Sequence, residues 1–395
     1  MTLNIKQYEE NICYCSRCGN CYGEAALEPS STCFLRDYYG WESFGPRGRL
    51  NMCRHLMDGT LQYTNELVER IYSDLLCGAC SSFCVLPIPH FDIFRAMRKD
   101  AVEAGLKLPK EIERIVASLD KAGNVFGAPK DNRAKWATEL ALPDKGDLVY
   151  FPGCYSSYTD QETAISTIKV LRAAGLDPAI LGTEESCCGN PLLLSGHANK
   201  AEAFIKENAR KLMATGAKTV VASCAECFRT LKVEYPKIVP DFKVNVLHTS
   251  QLMAQLVQEN RLHYKWPTAE GRAAIVTYHD PCQLGRLEGL GVYDQPRKVI
   301  QSVPGTNFIE MPRNQKLARC CGAGGLVKNT NDGMATNIAV EVLHEANSTG
   351  AMTFITSCPR CKKNFKDGVK KDPMRLLHLK IVDLNEFIAM HLVDA

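Results

Sequence analysis

The sequence predicts an α/β protein in three parts. A helical, cysteine-rich front domain fills residues 1–145, and two repeated α/β units follow over 146–265 and 266–395. Three observations carry this prediction. From residue 147 onward, short apolar runs alternate with amphipathic helical patterns, the signature of parallel strand–helix–strand units. The same order of elements then occurs a second time. Finally, the chain holds 19 cysteines in 395 residues, and their groups recur at matching places in the two halves.

In the front part, Leu67, Val68, Ile71, Leu75 and Leu76 lie on one helical stripe and predict a helix over 65–76 leading into Cys77. Two more helices are expected over 91–104 and 109–119, with a loop over 124–129. The first repeat opens with a strand over 148–151, closed by Pro152-Gly153. A helix over 161–174 follows, with Ala164, Ile165, Ile168 and Leu171 on its face and Gly175 as its stop. Then come a strand over 179–181, a helix over 201–215 and a strand over 219–222 that runs into Cys224. The second repeat is expected as strand 273–278, helix 295–303, strand 307–311, helix 335–346 and strand 352–355, before Cys358.

The cysteines show the repeat best. Cys154 recurs as Cys282, Cys187-Cys188 as Cys320-Cys321, and Cys224 and Cys227 as Cys358 and Cys361. The patterns are C-x32-CC-x35-C-x2-C and C-x37-CC-x36-C-x2-C, and glycine follows the adjacent pair in both, as Gly189 and Gly322. Each group falls at the end of a strand or in a strand-to-helix loop, the edge on which open α/β folds build their sites.

Composition narrows the function. Lys plus Arg is 47 against 44 for Asp plus Glu, a net charge of +3 with no basic block, which argues against a nucleic-acid binder. No apolar run reaches the roughly 18 residues of a membrane span. The first ten residues have neither a basic start nor an apolar core, so a cytoplasmic protein is expected, peripheral to a membrane only through a partner. Thiols stay reduced in that compartment, and adjacent pairs such as Cys187-Cys188 suit a disulfide framework poorly. Grouped thiolates in a cell point to metal.

The spacing of the front cysteines selects the metal. Bacterial ferredoxins supply [4Fe–4S] clusters from C-x2-C-x2-C-x3-C runs whose last cysteine serves the other cluster. Cys15, Cys18 and Cys21 form such a run, and Cys77, Cys80 and Cys84 the end of another. The exchange assigns Cys15, Cys18, Cys21 and Cys84 to one cubane cluster, and Cys33, Cys77 and Cys80 to a second. Asp74 stands where the fourth ligand of that second cluster belongs; Cys53, a soft and otherwise unemployed ligand, is the preferred candidate. Zinc also binds C-x2-C pairs, but three thiolates on one short loop suit the face of a cubane better than a tetrahedral ion. The five cysteines of each repeat exceed what one zinc ion or one ordinary cubane requires. One ordinary four-cysteine cluster with a spare thiol is the alternative there.

The doubled motif around Cys187-Cys188-Gly189 and Cys320-Cys321-Gly322 resembles the CCG domain family. With a ferredoxin-like front domain joined to two Rossmann-like CCG units, the layout resembles the fused catalytic subunit of heterodisulfide reductase. The segment Gly45-Pro46-Arg47-Gly48-Arg49 is similar to that family and to iron–sulfur subunits of glycolate oxidase. The resemblance implies two noncubane [4Fe–4S] clusters. Their ligands would be Cys154, Cys187, Cys188, Cys224 and Cys227 in one unit, and Cys282, Cys320, Cys321, Cys358 and Cys361 in the other. It also implies that a disulfide is split between them, with Cys187, Cys188, Cys320 and Cys321 at the catalytic irons. Both copies are complete here. The departures are Asp74 and the insertion before Cys33.

Other residues are read more plainly. Gly322-Ala323-Gly324-Gly325 lacks the strand and helix context of a phosphate loop. His279, before Asp280-Pro281-Cys282, is read as support for a cluster loop, with a proton relay as the alternative. His248 and His55 are read as ordinary. Arg17, Arg36, Arg47, Arg49 and Arg54 offset cluster charge or form a docking face. Two function classes follow. One is a heterodisulfide reductase-like subunit that reduces a disulfide or related thiol substrate. The other is an electron-transfer subunit of a larger complex, of the benzoyl-CoA reductase or hydroxy-acid oxidase type. Neither class shows a flavin or haem site in the chain, so a redox partner carrying one is expected in both.

Overall fold

Parallel strands set the frame. The computed structural model describes residues 3–23, 33–266 and 274–393. The first unit contains β1 (Leu148–Phe151), β2 (Ala179–Ile180), β3 (Thr219–Ala222) and β4 (Asn245–His248), hydrogen-bonded in the order β2-β1-β3-β4. The second contains β5 (Ala274–His279), β6 (Thr306–Phe308), β7 (Thr353–Thr356) and β8 (Lys380–Asp383), in the matching order β6-β5-β7-β8. Every ladder in both sheets is parallel, with Val149 opposite Ala179 and Val220, and Val276 opposite Phe308 and Thr353. The internal repeat is therefore a repeat of topology as well as of cysteines.

The expected helices over 161–174, 201–215 and 335–346 are present as Gln161–Ala173, Ala198–Ala214 and Asp332–Asn347. The first expected helix of the front domain stops at Tyr72 rather than 76, because the chain turns into an extended leg that carries Asp74 to Cys77. Leu76 there has a φ of 46° and Arg17, before Cys18, a φ of 62°, so both residues that introduce a front cysteine sit in the costly left-handed region. Two strands, β4 and β8, and several helices, among them Pro46–Asp58, Thr249–Gln258, Pro359–Lys371 and Leu384–His391, were not expected. Residue 273, the expected start of β5, and most of the insertion before Cys33 (24–32) lie outside the described residues.

The three parts share one core. Its main cluster joins Ile93, Phe94 and Met97 of the front helix His90–Glu103 with Leu192 and Leu194 of the first unit and Leu326 and Val327 of the second. Arg98, on that same helix and fully buried, ties the parts through their backbones. Its guanidinium donates to the Leu194 carbonyl (2.8 Å), the Gly325 carbonyl (2.8 Å) and the Asp74 carbonyl (2.7 Å). A second tie runs through ion pairs, from Arg95 to Glu234 (2.7 Å), from Glu234 to Arg229 (2.7 Å) and from Arg229 to Glu288.

The glycine run of the second unit has its explanation here. A Cβ on Gly324 would lie 2.4 Å from the Leu75 carbonyl oxygen, and one on Gly325 only 2.1 Å from that of Asp74. The glycines admit the front domain's backbone to within contact; phosphate binding is not their role. Arg98→Ala is expected to destabilise the protein by about 3 kcal/mol, since it strands several buried carbonyls while recovering only part of the desolvation of the charge. The measurement is the thermal midpoint of the cluster-loaded protein, which should fall, whereas a change at exposed Lys206 should leave it unmoved.

Candidate metal centre

All the repeat cysteines lie on loops or first helical turns at the carboxyl edges of the sheets. Cys154 and Cys282 follow the central strands β1 and β5 by three residues. Cys224 and Cys358 follow β3 and β7 by two, each in extended conformation as the N-cap of a helix whose first turn holds Cys227 or Cys361. The adjacent pairs sit in the loops after β2 and β6. The glycine after each pair is required by its backbone: Gly189 has φ 90° and Gly322 φ 89°, a conformation open to glycine at little cost.

The ten thiols form one continuous file. In the first unit Cys154 hydrogen-bonds Cys187, Cys187 meets Cys188, Cys188 meets Cys227, and Cys227 meets Cys224. In the second, Cys282 hydrogen-bonds Cys320, Cys320 meets Cys321, Cys321 meets Cys361, and Cys361 meets Cys358. The two files join at the seam through Cys224 and Cys358. At the other end Cys320 hydrogen-bonds Cys77 of the front domain. The second unit is thus the one that adjoins the front cysteines.

Within this file the second cysteine of each pair is pulled toward the thiolate, as is Cys358 at the seam. Hydrogen bonds from Cys187 and Cys227, helped by the Asn190 backbone N–H, hold the Cys188 thiol down to about 5. Cys320, Cys361 and the Ala323 N–H do the same for Cys321, also about 5. Cys154 moves the other way, pushed up by its hydrogen bond to Cys187 and by burial. Among the described residues no disulfide joins the cysteines.

In the front domain the charges of Cys15 and Cys84 act on Cys21, and those of Cys15 and Cys18 on Cys84, so these four residues are brought together. Cys33, Cys77, Cys80 and Asp74 border a single cavity. Cys53 is elsewhere. It is fully buried on the inner face of the Pro46–Asp58 helix, within reach of Asp100 and Tyr63, and none of the charges acting on it belongs to a cysteine. Asp74, the sequence-based alternative, is the residue placed beside Cys33 and Cys80. Its carboxylate accepts from Arg49 Nη1 (2.9 Å) and from the Leu76 N–H (2.7 Å).

Several supporting residues escaped the sequence reading. Tyr150 and Tyr278, each four residues before the first cysteine of its unit, hydrogen-bond Ser223 (2.8 Å) and Ser357 (3.1 Å), the residues just before Cys224 and Cys358. Aligning the two repeats by their cysteines would have found both pairs. His279 is buried with Nδ1 against Thr356 (3.2 Å) and Nε2 against the Arg319 carbonyl (3.1 Å), and burial lowers its pKa to about 4. It therefore braces the Cys320 loop as a neutral ring. His248, read as ordinary, does the same to the Ser223 carbonyl (3.3 Å). The central residues of the two C-x2-C turns, Glu226 and Arg360, pair across the seam at 2.9 Å.

The donor set fits iron–sulfur clusters. Among the described residues no group of three or more His, Cys, Asp or Glu side chains converges as the ligands of a single ion would. The five thiols of the first unit instead line one pocket, walled by Phe126, Tyr155, Leu326 and the Arg360–Glu226 pair. Soft thiolates around a buried, largely apolar space suit a polynuclear iron–sulfide group. No helix among the described residues is long and apolar enough to cross a membrane.

Comparison with known proteins gives matches to the CCG cysteine-rich domain over residues 148–232 and 276–366. One subunit of the dihydromethanophenazine:CoB–CoM heterodisulfide reductase of Methanosarcina barkeri is 30% identical over 390 residues, covering 95% of this chain and 92% of that one. One subunit of the fumarate reductase (CoM/CoB) of Methanothermobacter marburgensis is 27% identical, over 96% of this chain and 72% of that one. Among solved structures, a hypothetical protein from Helicobacter pylori superposes with a TM-score of 0.55 at 11% identity, over 92% of this chain and 67% of that one. That likeness concerns the fold alone.

Proposed function

Because the chain belongs to the CCG cysteine-rich family of iron–sulfur oxidoreductases, which also includes the Methanosarcina heterodisulfide reductase chain, we propose that it reduces a disulfide with electrons received from a redox partner. The observation that carries this reading is the unbroken file of sulfur from Cys77 through Cys320 to the seam at Cys224 and Cys358. Electrons entering at the exposed front cysteines would pass the Cys15–Cys18–Cys21–Cys84 and Cys33–Cys77–Cys80–Asp74 sites, then the second unit, then the first. Each unit's five cysteines would hold one noncubane cluster and the front sites one cubane each.

The clusters, when bound, supply single electrons and an iron able to accept a substrate sulfur. The chain's own residues do the rest. Burial of the repeat cysteines excludes water, and Phe126, Tyr155 and Leu326 give the pocket beside Cys188 and Cys227 an apolar wall suited to a sulfur compound. The Arg360–Glu226 pair holds the two C-x2-C turns at a fixed separation and adds no net charge to the space between them. Two electrons and two protons convert one disulfide into two thiols as the S–S bond breaks. The electrons come from a partner with a flavin- or haem-type centre.

Iron analysis gives the first check. Four clusters of four require roughly 16 iron per chain, and stoichiometric zinc with only about eight iron would contradict the four-cluster arrangement. EPR of the oxidised protein with and without candidate thiols tests the chemistry. A thiol-dependent change in the signal is expected. Its absence across thiols, with all clusters present, would favour the electron-transfer reading, in which the repeat clusters serve the reaction of another protein in the complex.

A further inference from the structure

Arg286 stands between the front domain and the second unit. Its Nε donates to the Cys77 carbonyl (3.2 Å), and its Nη1 to the Lys316 carbonyl (3.1 Å) and to that of Ala318, on the loop that leads into Cys320-Cys321. The guanidinium is within electrostatic reach of three sulfurs from two different sites, those of Cys77, Cys282 and Cys320. Its Nη2 is buried and has no hydrogen-bond partner. Among the described residues no carboxylate pairs with it. The first unit is different: there Arg133, which donates to Cys154 Sγ at 3.5 Å, is neutralised by Glu185 at 2.5 Å.

A buried, uncompensated cation costs free energy unless anions face it. The anions available here are the thiolates and, on the reading proposed above, the two clusters that they hold. We propose that Arg286 is the positioning residue that sets the potentials of the second front cluster and the second-unit cluster together, and keeps their loops in register for electron transfer between them. In that step one electron leaves the front cluster, oxidising it, and reduces the second-unit cluster; no bond or proton moves. A nearby positive charge stabilises the reduced, more negative state of each. The partnerless Nη2 keeps its hydrogens available for cluster sulfur, and such a bond would also raise potential. The first-unit cluster, beside a neutralised arginine, would lie lower.

The test is redox titration followed by EPR on Arg286→Met, Arg286→Gln and Arg286→Lys, after iron counting. Wild-type iron is expected in all three. In the Met and Gln variants two of the four midpoint potentials should shift downward, with the other two as internal references, and Lys should restore most of the shift. The inference is overturned if the neutral variants keep all four potentials, if all four move together, or if Lys shifts them as far as Met. Should Met fail to assemble, Gln, which keeps hydrogen-bonding capacity without charge, decides on the same criteria. A wild-type protein without iron at these sites would sink the cluster reading itself, a result distinct from unchanged potentials in a fully loaded variant.

Discussion

Cys188→Ser and Cys321→Ser should each abolish disulfide turnover while leaving the front clusters intact. Hydrogen bonds from Cys187 and Cys227 in one unit, and from Cys320 and Cys361 in the other, hold these two thiols down to about 5 and favour the thiolate that iron requires. A serine hydroxyl is a harder donor and does not ionise there, so the iron it should hold is lost or left with an oxygen ligand. Substituting even an outer-shell partner of a metal ligand costs 10- to roughly 100-fold in affinity or activity; removing the ligand itself should cost more. The front sites share no residue with either pair, so their EPR signals should survive, while iron falls by up to about four per chain. If a variant lost the iron of its own unit and still reduced a disulfide at full rate, the pairing of the two units in catalysis would be refuted.

Which parts of this arrangement were legible in the sequence follows from how each is encoded. The repeat cysteines sit at short, fixed offsets from strand ends, so Cys154, Cys224 and their counterparts Cys282 and Cys358 mark both the sheets and the candidate sites without any tertiary knowledge. β4 and β8 were missed because four-residue strands such as Asn245–His248 and Lys380–Asp383 begin and end in polar residues and show too little apolar run to stand out. The Pro46–Asp58 helix is rich in arginine and carries Pro46 and Gly48, which hide its helical pattern; yet proline is well suited to the first position of a helix, where its missing N–H costs nothing. Adjacency between sites was out of reach. That Cys320 meets Cys77, that Arg98 reaches Gly325 and that Gly324 and Gly325 receive the front domain are facts of packing between segments more than 200 residues apart, and the link of Arg98 to Leu194 spans 96.

Cys53→Ala is expected to keep roughly 16 iron per chain, and Asp74→Ala to lose or reshape the second front cluster. The sequence favours Cys53 on softness alone, but its side chain faces the hydrophobic core beside Tyr63 and Asp100, and burial pushes its thiol up to about 12. A neutral thiol in an apolar core is a packing residue. Asp74 borders the cavity with Cys33, Cys77 and Cys80, and although its oxygens accept from Arg49 and Leu76, each retains a lone pair for iron. Removing the carboxylate also leaves the buried Arg49 charge without its ion pair, a loss on the order of 3–5 kcal/mol, so Asp74→Ala by itself would confuse ligation with stability. Asp74→Cys separates them. It restores a soft ligand at the same place without a carboxylate, and should hold full iron while its reduced-state EPR signal differs from that of the wild type. Loss of about four iron in Cys53→Ala, together with an unchanged signal in Asp74→Cys, would return the ligand role to Cys53.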